Sequence, residues 1–226
     1  MNWAYTPRRM PGTFLGDSMI ERRALEMATI ERRTMMDTTV EYRETEDGPA
    51  LEGLAAPFGK LSEDLGWGLR EKIEPGAFVD VLEGDVRALF NHNPDNLLGR
   101  TKAGTLKLWE DERGLRYRAM LPDTQVARDL MVNVRAKNVT GNSFAFVVDV
   151  DEFARPEKKG EPTIRTVKHV SRLFDVGPVT YPAYPQTKVS ARSLDIAKAY
   201  VEDDEEFEGW LSRMDDLDRL LRHGAA

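Results

Sequence analysis

The sequence predicts a β-rich α+β domain, a mostly antiparallel barrel or sandwich with a few helices packed outside. Three observations carry this expectation. Short runs of alternating apolar and polar residues recur through the middle of the chain, turn residues separate them, and helices and strands do not alternate in a βαβ rhythm.

Taken in order, residues 1–36 read as an N-terminal arm. Pro7, Pro11, Gly12 and Gly16 come first, followed by a helix expected over Ser18–Arg33, where Ser18 and Glu21 have capping-box spacing. Residues 37–190 read as the folded body. TTVEYRE alternates, LEGLAAPFGK carries a buried-looking Leu-Ala-Ala run, and VRALFNHN is another strand. GTLKLWEDERGLRYRAMLP reads as a hairpin turning at Asp111–Gly114. A helix opens after Pro122-Asp123, with Val126, Leu130 and Val134 on one face. VTGNSFAFVVDV and TVKHVSRLFDVGPVTYPAYP supply the last strands, and Pro182 and Pro185 mark a closing turn. Residues 191–226 form an acidic, helix-favouring extension. Leu211, Met214, Leu217, Leu220 and Leu221 fall at helical spacing, suited to docking a partner or to lying back on the body.

Composition narrows the function. The 226 residues carry a net charge of −7 and no dense Lys/Arg stretch, which argues against duplex nucleic acid. Absence of cysteine removes disulfides, thiolate zinc sites and a Cys nucleophile. No apolar run reaches membrane-spanning length and no secretory signal is visible, so the expected location is cytoplasmic. Aromatics, at 8%, sit in apolar strand contexts, against a barrel that binds carbohydrate or single strands by stacking. Nucleotide-binding glycine loops are absent, and His92, His169 and His223 match no zinc spacing.

Acid–base and nucleophilic chemistry remain. His92, in FNHNPDNLLGR, lies where a strand runs into a loop, a place for a general base or for an ordinary turn histidine. Ser143, in TGNSFAFVV, follows a turn and begins an apolar strand. It suits a nucleophile at a barrel mouth, or a strand-edge serine satisfying the turn. His169 and Asp175 lie six apart, on one face of a regular strand, and either would orient His92. Pattern alone stops at a β-rich domain with a candidate Ser/His pair.

The motifs together resemble the phage prohead proteases, relatives of the herpesvirus assemblin serine proteases. The resemblance spans residues 53–187. GLAAPFGK is similar to the family's opening strand, EKIEPGAF to its Pro-Gly-Ala-Phe segment, and ALFNHNPDNLLGRTKAGTLKLWEDERGLRYRAMLPDT to the stretch with its catalytic His. GNSFAFVV resembles the nucleophile strand and LFDVGPVTYPAYPQT the closing signature. Asn142, Ala145 and Gly177 depart from the usual apolar, Gly and Ser residues.

The resemblance implies a closed barrel of about seven strands wrapped by helices. It puts His92 on the general base, Ser143 on the nucleophile and Asp175 on the third member, with His169 as the alternative. It implies no metal or organic cofactor. Implied substrates are the phage capsid protein, its scaffold segment and the protease itself, cut inside the assembling prohead of the bacterial host. A homodimer or higher oligomer is compatible, with neither nucleic acid nor membrane as partner. A non-catalytic head-assembly protein on the same fold is the competing expectation.

Overall fold

The computed structural model describes residues 30–35, 38–156, 158, 160–181, 193–195 and 197–198. The expected helix up to residue 29 and nearly all of the acidic extension, including its leucine stripe, lie outside these residues, as do Pro182 and Pro185. Residues 31–33, assigned from sequence to the end of that helix, are instead extended.

Ten strands form two sheets among the described residues. The first contains β1 (Glu31–Met35), β9 (Gly141–Ala154), β10 (Thr163–Val179), β5 (Arg87–Leu89) and β6 (Leu97–Arg100) in that order, with β4 (Leu69–Ile73) also paired to β10. The second runs β2 (Val40–Thr45), β3 (Gly48–Pro57), β8 (Gly114–Met120) and β7 (Leu106–Asp111). The β7–β8 hairpin turns at Asp111, whose Oδ1 accepts the backbone N–H groups of Arg113 and Gly114. Helix α1 (Gln125–Arg135) opens on Thr124, whose hydroxyl accepts the Ala127 N–H, and buries Ala127, Leu130 and Val134.

The closed barrel is not formed. Closure requires every edge to be laddered to a neighbour, and no ladder joins the two sheets among the described residues. They meet through single backbone hydrogen bonds, from Val40 N–H to Thr140 O and from Gly59 N–H, just past β3, to Ile73 O of β4. The first sheet also branches. On the edge of β10 away from β9, residues 163–167 pair with β4 and residues 175–176 with β5, both in parallel. Two strands share one edge, so the sheet forks rather than curling into a ring.

One apolar core lies between the sheets, with Leu51, Leu115 and Tyr117 from the second meeting Phe144, Phe146 and Val176 from the first. Phe144 stacks on Phe146 at 4.6 Å and meets Phe78 edge-on at 5.8 Å. The sheets lock where Gly53 passes Tyr117 and Asn142. A Cβ at residue 53 would lie 2.4 Å from the tyrosine ring and 2.6 Å from Asn142 Oδ1. With that space free, the Tyr117 hydroxyl donates to Asn142 Oδ1 at 2.6 Å. Burial pushes the tyrosine pKa far up, so it remains a protonated donor.

Beside this core lies a buried cluster of ions. Arg33 holds Glu71 bidentately, Nε to Oε1 and Nη2 to Oε2, both at 2.8 Å, and also meets Glu31. Arg165 reaches Glu31 at 2.7 and 2.9 Å, Glu71 at 2.9 Å and Asp151 at 2.9 Å. Burial raises the Glu31 pKa, but the Arg33 and Arg165 charges outweigh it and hold the carboxyl below its ordinary 4.5.

Removing one partner from such a cluster strands the others in a medium of low polarity. Arg165→Ala, which takes a cation away from Glu31, Glu71 and Asp151, is expected to cost roughly 3–5 kcal/mol in urea unfolding. A carboxyl depressed in the folded state contributes stability that is present above its unfolded pKa and lost as pH falls through its folded value. The wild-type urea midpoint should therefore drop below pH 4.5 more steeply than that of Glu31→Gln.

Candidate active site

The site is built where β9, β10 and the turn after β5 converge. Ser143 is the third residue of β9, and Gly177 of β10 lies directly opposite it. Asp175 pairs with Ala145, two residues along β9, and so shares a face of the sheet with Ser143. A Cβ at residue 177 would fall 2.1 Å from the Leu89 carbonyl oxygen. Glycine there lets the end of β5 press against β10, which carries the following turn over Ser143 and Asp175.

That turn holds His92 in an uncommon conformation. Asn91 and His92 have φ of 57° and 54°, two successive left-handed residues without a glycine. Asn91 ties the turn to the end of β10. Its N–H donates to Pro178 O at 3.0 Å, its Oδ1 accepts the Thr180 N–H at 2.8 Å, and its Nδ2 donates to Thr180 Oγ1 at 3.0 Å. Strain of this kind persists where surrounding contacts enforce it.

The structure brings three of the four candidate residues together. His92 Nδ1 is 2.6 Å from Asp175 Oδ1, and His92 Nε2 is 2.6 Å from Ser143 Oγ. A carboxylate only accepts, so Nδ1 carries the proton and Nε2 presents a lone pair to the serine hydroxyl. His92 and Asp175 side chains are 16% and 10% exposed, shielded but not sealed.

His169 lies elsewhere. Register shifts at residues 169/170, 170/172 and 173/175 break the period-two alternation that would have placed it on the Asp175 face. Its Nδ1 meets Asp149 at 2.6 Å and its Nε2 meets Asp80 at 3.0 Å. Hydrogen bonds to Asp149 and then Asp80 raise its pKa. The third histidine, His223, lies outside the described residues. No group of three or more His, Asp and Glu side chains is arranged to hold a metal ion among the described residues. Nor is any described helix long and apolar enough to cross a membrane.

Ser143 has no exposed surface. Strand β1 covers it, pairing antiparallel with β9 so that Thr34 sits opposite Ser143. The Thr34 hydroxyl donates to Ser143 Oγ at 3.2 Å, and Ser143 Oγ lies 2.8 Å from the Arg33 carbonyl oxygen. Sequence reasoning missed β1, β4 and the ions Glu31, Arg33, Glu71 and Arg165 that pin them. One available signal is the tetrapeptide Ile-Glu-Arg-Arg, which occurs at residues 20–23 and again at residues 30–33.

The Asn91 clamp generates a prediction. Asn91→Ala removes the Thr180 contacts and disfavours the left-handed backbone, freeing the imidazole. For any reaction that uses this imidazole, kcat is expected to fall roughly 10²-fold with KM little changed, the scale of an ångström of misplacement. Steady-state kinetics would measure both, and an unchanged kcat would show that the turn holds without the clamp.

No curated protein matches the chain. Among solved structures, the bacteriophage T4 capsid assembly protease, gp21, matches with 13% identity and a TM-score of 0.42, over 66% of this chain and 98% of that one. The family model described as caudovirus prohead serine protease matches residues 37–202, most of the chain. On that match the chain belongs to the caudovirus prohead serine protease family.

Proposed function

We propose that this serine protease of phage head assembly is an endopeptidase in which Ser143 is the nucleophile, His92 the general base and Asp175 the residue that orients the base. The observation that carries the reading is the unbroken relay of two 2.6 Å contacts, from Asp175 Oδ1 through the imidazole to Ser143 Oγ. Ser143 Oγ attacks the scissile carbonyl while His92 Nε2 takes its proton and then delivers it to the leaving amine. Asp175 keeps the proton on Nδ1 and stabilises the imidazolium as it forms. Water then attacks the acyl-enzyme with His92 again as base.

The substrates follow from the family. The phage capsid protein, its scaffold segment and the chain's own termini are cut inside the assembling prohead. Residues 1–29 and the acidic extension are candidates for self-removal. The chemistry assigned to these residues needs no metal and no organic cofactor.

Co-expression with the phage capsid protein, followed by intact mass of both chains, tests the reading. Wild type is expected to shorten the capsid protein. Ser143→Ala and His92→Ala should each lower that cleavage roughly 10⁴-fold or more, because the members act as a unit. Cleavage by either variant at near the wild-type rate would overturn the assignment. Loss in His92→Ala with retention in Asp175→Ala would move the orienting role away from Asp175.

A further inference from the structure

The strand over Ser143 has the features of a bound substrate. Peptides commonly join proteases and other receptors by adding a strand to an exposed sheet edge, with main-chain pairing for affinity and side-chain pockets for specificity. Strand β1 does this to the edge of β9, in register from Glu31 opposite Phe146 to Met35 opposite Asn142. Its Arg33 carbonyl lies against the hydroxyl of Ser143. Edge pairing alone does not require a carbonyl at that place.

Two pockets fix the register. Glu71 of β4 grips the Arg33 guanidinium with both carboxylate oxygens, while the Phe146 ring lies 5.4 Å from the guanidinium carbon. Arg165 of β10 grips Glu31 with two nitrogens. Fork-to-carboxylate pairs of this kind recognise geometry as well as charge. Glu31 and Arg33 point to the same face of their strand, so a slip by one residue would break both pairs together.

We propose that β1 is a substrate strand docked in the chain's own active site, cut by Ser143 between Arg33 and Thr34, with Glu71 selecting the arginine before the cut and Arg165 the glutamate two residues upstream. This rests on the reading of Ser143 as nucleophile. Ser143 Oγ bonds to the Arg33 carbonyl carbon, the bond to Thr34 nitrogen breaks, and the serine proton passes through His92 to the new Thr34 amine. Water then hydrolyses the ester, giving the Arg33 carboxylate and free Ser143. The substrate class is an extended peptide with Glu-x-Arg before the cut. The same Glu-Arg-Arg stands at residues 21–23, ahead of Ala24.

The test is intact mass and N-terminal sequencing of the full chain, co-expressed with the capsid protein, as wild type, Ser143→Ala and Arg33→Glu. Wild type should yield a fragment beginning at Thr34, and Ser143→Ala none. Arg33→Glu should lower the fragment's yield roughly a hundredfold, because a carboxylate then faces Glu71. In case Arg33→Glu disturbs folding, residues 30–37 are also placed in the flexible linker of a carrier protein and supplied to the wild-type enzyme. The carrier should be cut after the second arginine, and the carrier bearing the same exchange should not. Capsid cleavage without any cut at Arg33–Thr34, in chain or carrier, would overturn the proposal and leave the protease reading standing. Equal cutting of the exchanged sequence would overturn the roles of Glu71 and Arg33. No cutting of capsid, chain or carrier would overturn the protease reading itself.

Discussion

The antiparallel ladder between β9 and β10 is the constraint on which the rest depends. It places Gly177 opposite Ser143 and Asp175 opposite Ala145, so the serine and the carboxylate come from adjacent strands on one face. Neither strand supplies the imidazole. The gap is bridged because β5 pairs in parallel with the end of β10, and Gly177 allows the Leu89 carbonyl to come close. The geometry of the relay is therefore a property of backbone pairing, with Asn91 fixing the last dihedrals of His92. Behind Ser143, the bond from Tyr117 to Asn142 ties the same stretch of β9 to the second sheet.

The forked edge of β10 has a second consequence. Its first part pairs with β4, which brings Glu71 beneath β1, and Arg165 stands in that same stretch opposite it. Charges of both signs thus meet in a space that an all-apolar strand would have filled. Burying them costs desolvation energy that mutual attraction only partly offsets, so their value lies in fixing register rather than in raw stability. A strand held by Glu31 and Arg33 has one place to sit.

This explains what was legible in the sequence and what was not. The β7–β8 hairpin and helix α1 follow the binary pattern, because Leu106, Leu108, Leu115, Tyr117 and Ala119, and likewise Leu130 and Val134, face one core. Ser143 and Asp175 stood in recognisable strands. The pattern failed where ions replaced apolar residues. Leu69, Glu71 and Ile73 are all buried along β4, but a glutamate in the middle disguises the alternation. Glu31 and Arg33 alternate inward along β1, yet to a period-seeking eye Glu-Arg-Arg is a solvated helix end. That the sheets stay open was illegible for another reason: closure depends on which edges pair, and the branch at β10 arises from tertiary contacts that no local period encodes. The bulges that turn His169 away from Asp175 are of the same kind.

Covering Ser143 makes access to the site and docking of β1 a single equilibrium. A peptide from outside reaches Ser143 only in molecules whose β1 has left. The more firmly the cluster holds β1, the smaller the fraction of molecules open at any moment. The apparent affinity for any competing peptide falls in the same proportion. A peptide carrying the paired Glu and Arg recovers the contacts that β1 gives up, whereas one lacking them leaves Glu71, Arg165 and Asp151 together with an excess of negative charge. The cluster that closes the site against most sequences is therefore the feature that would admit a matching one.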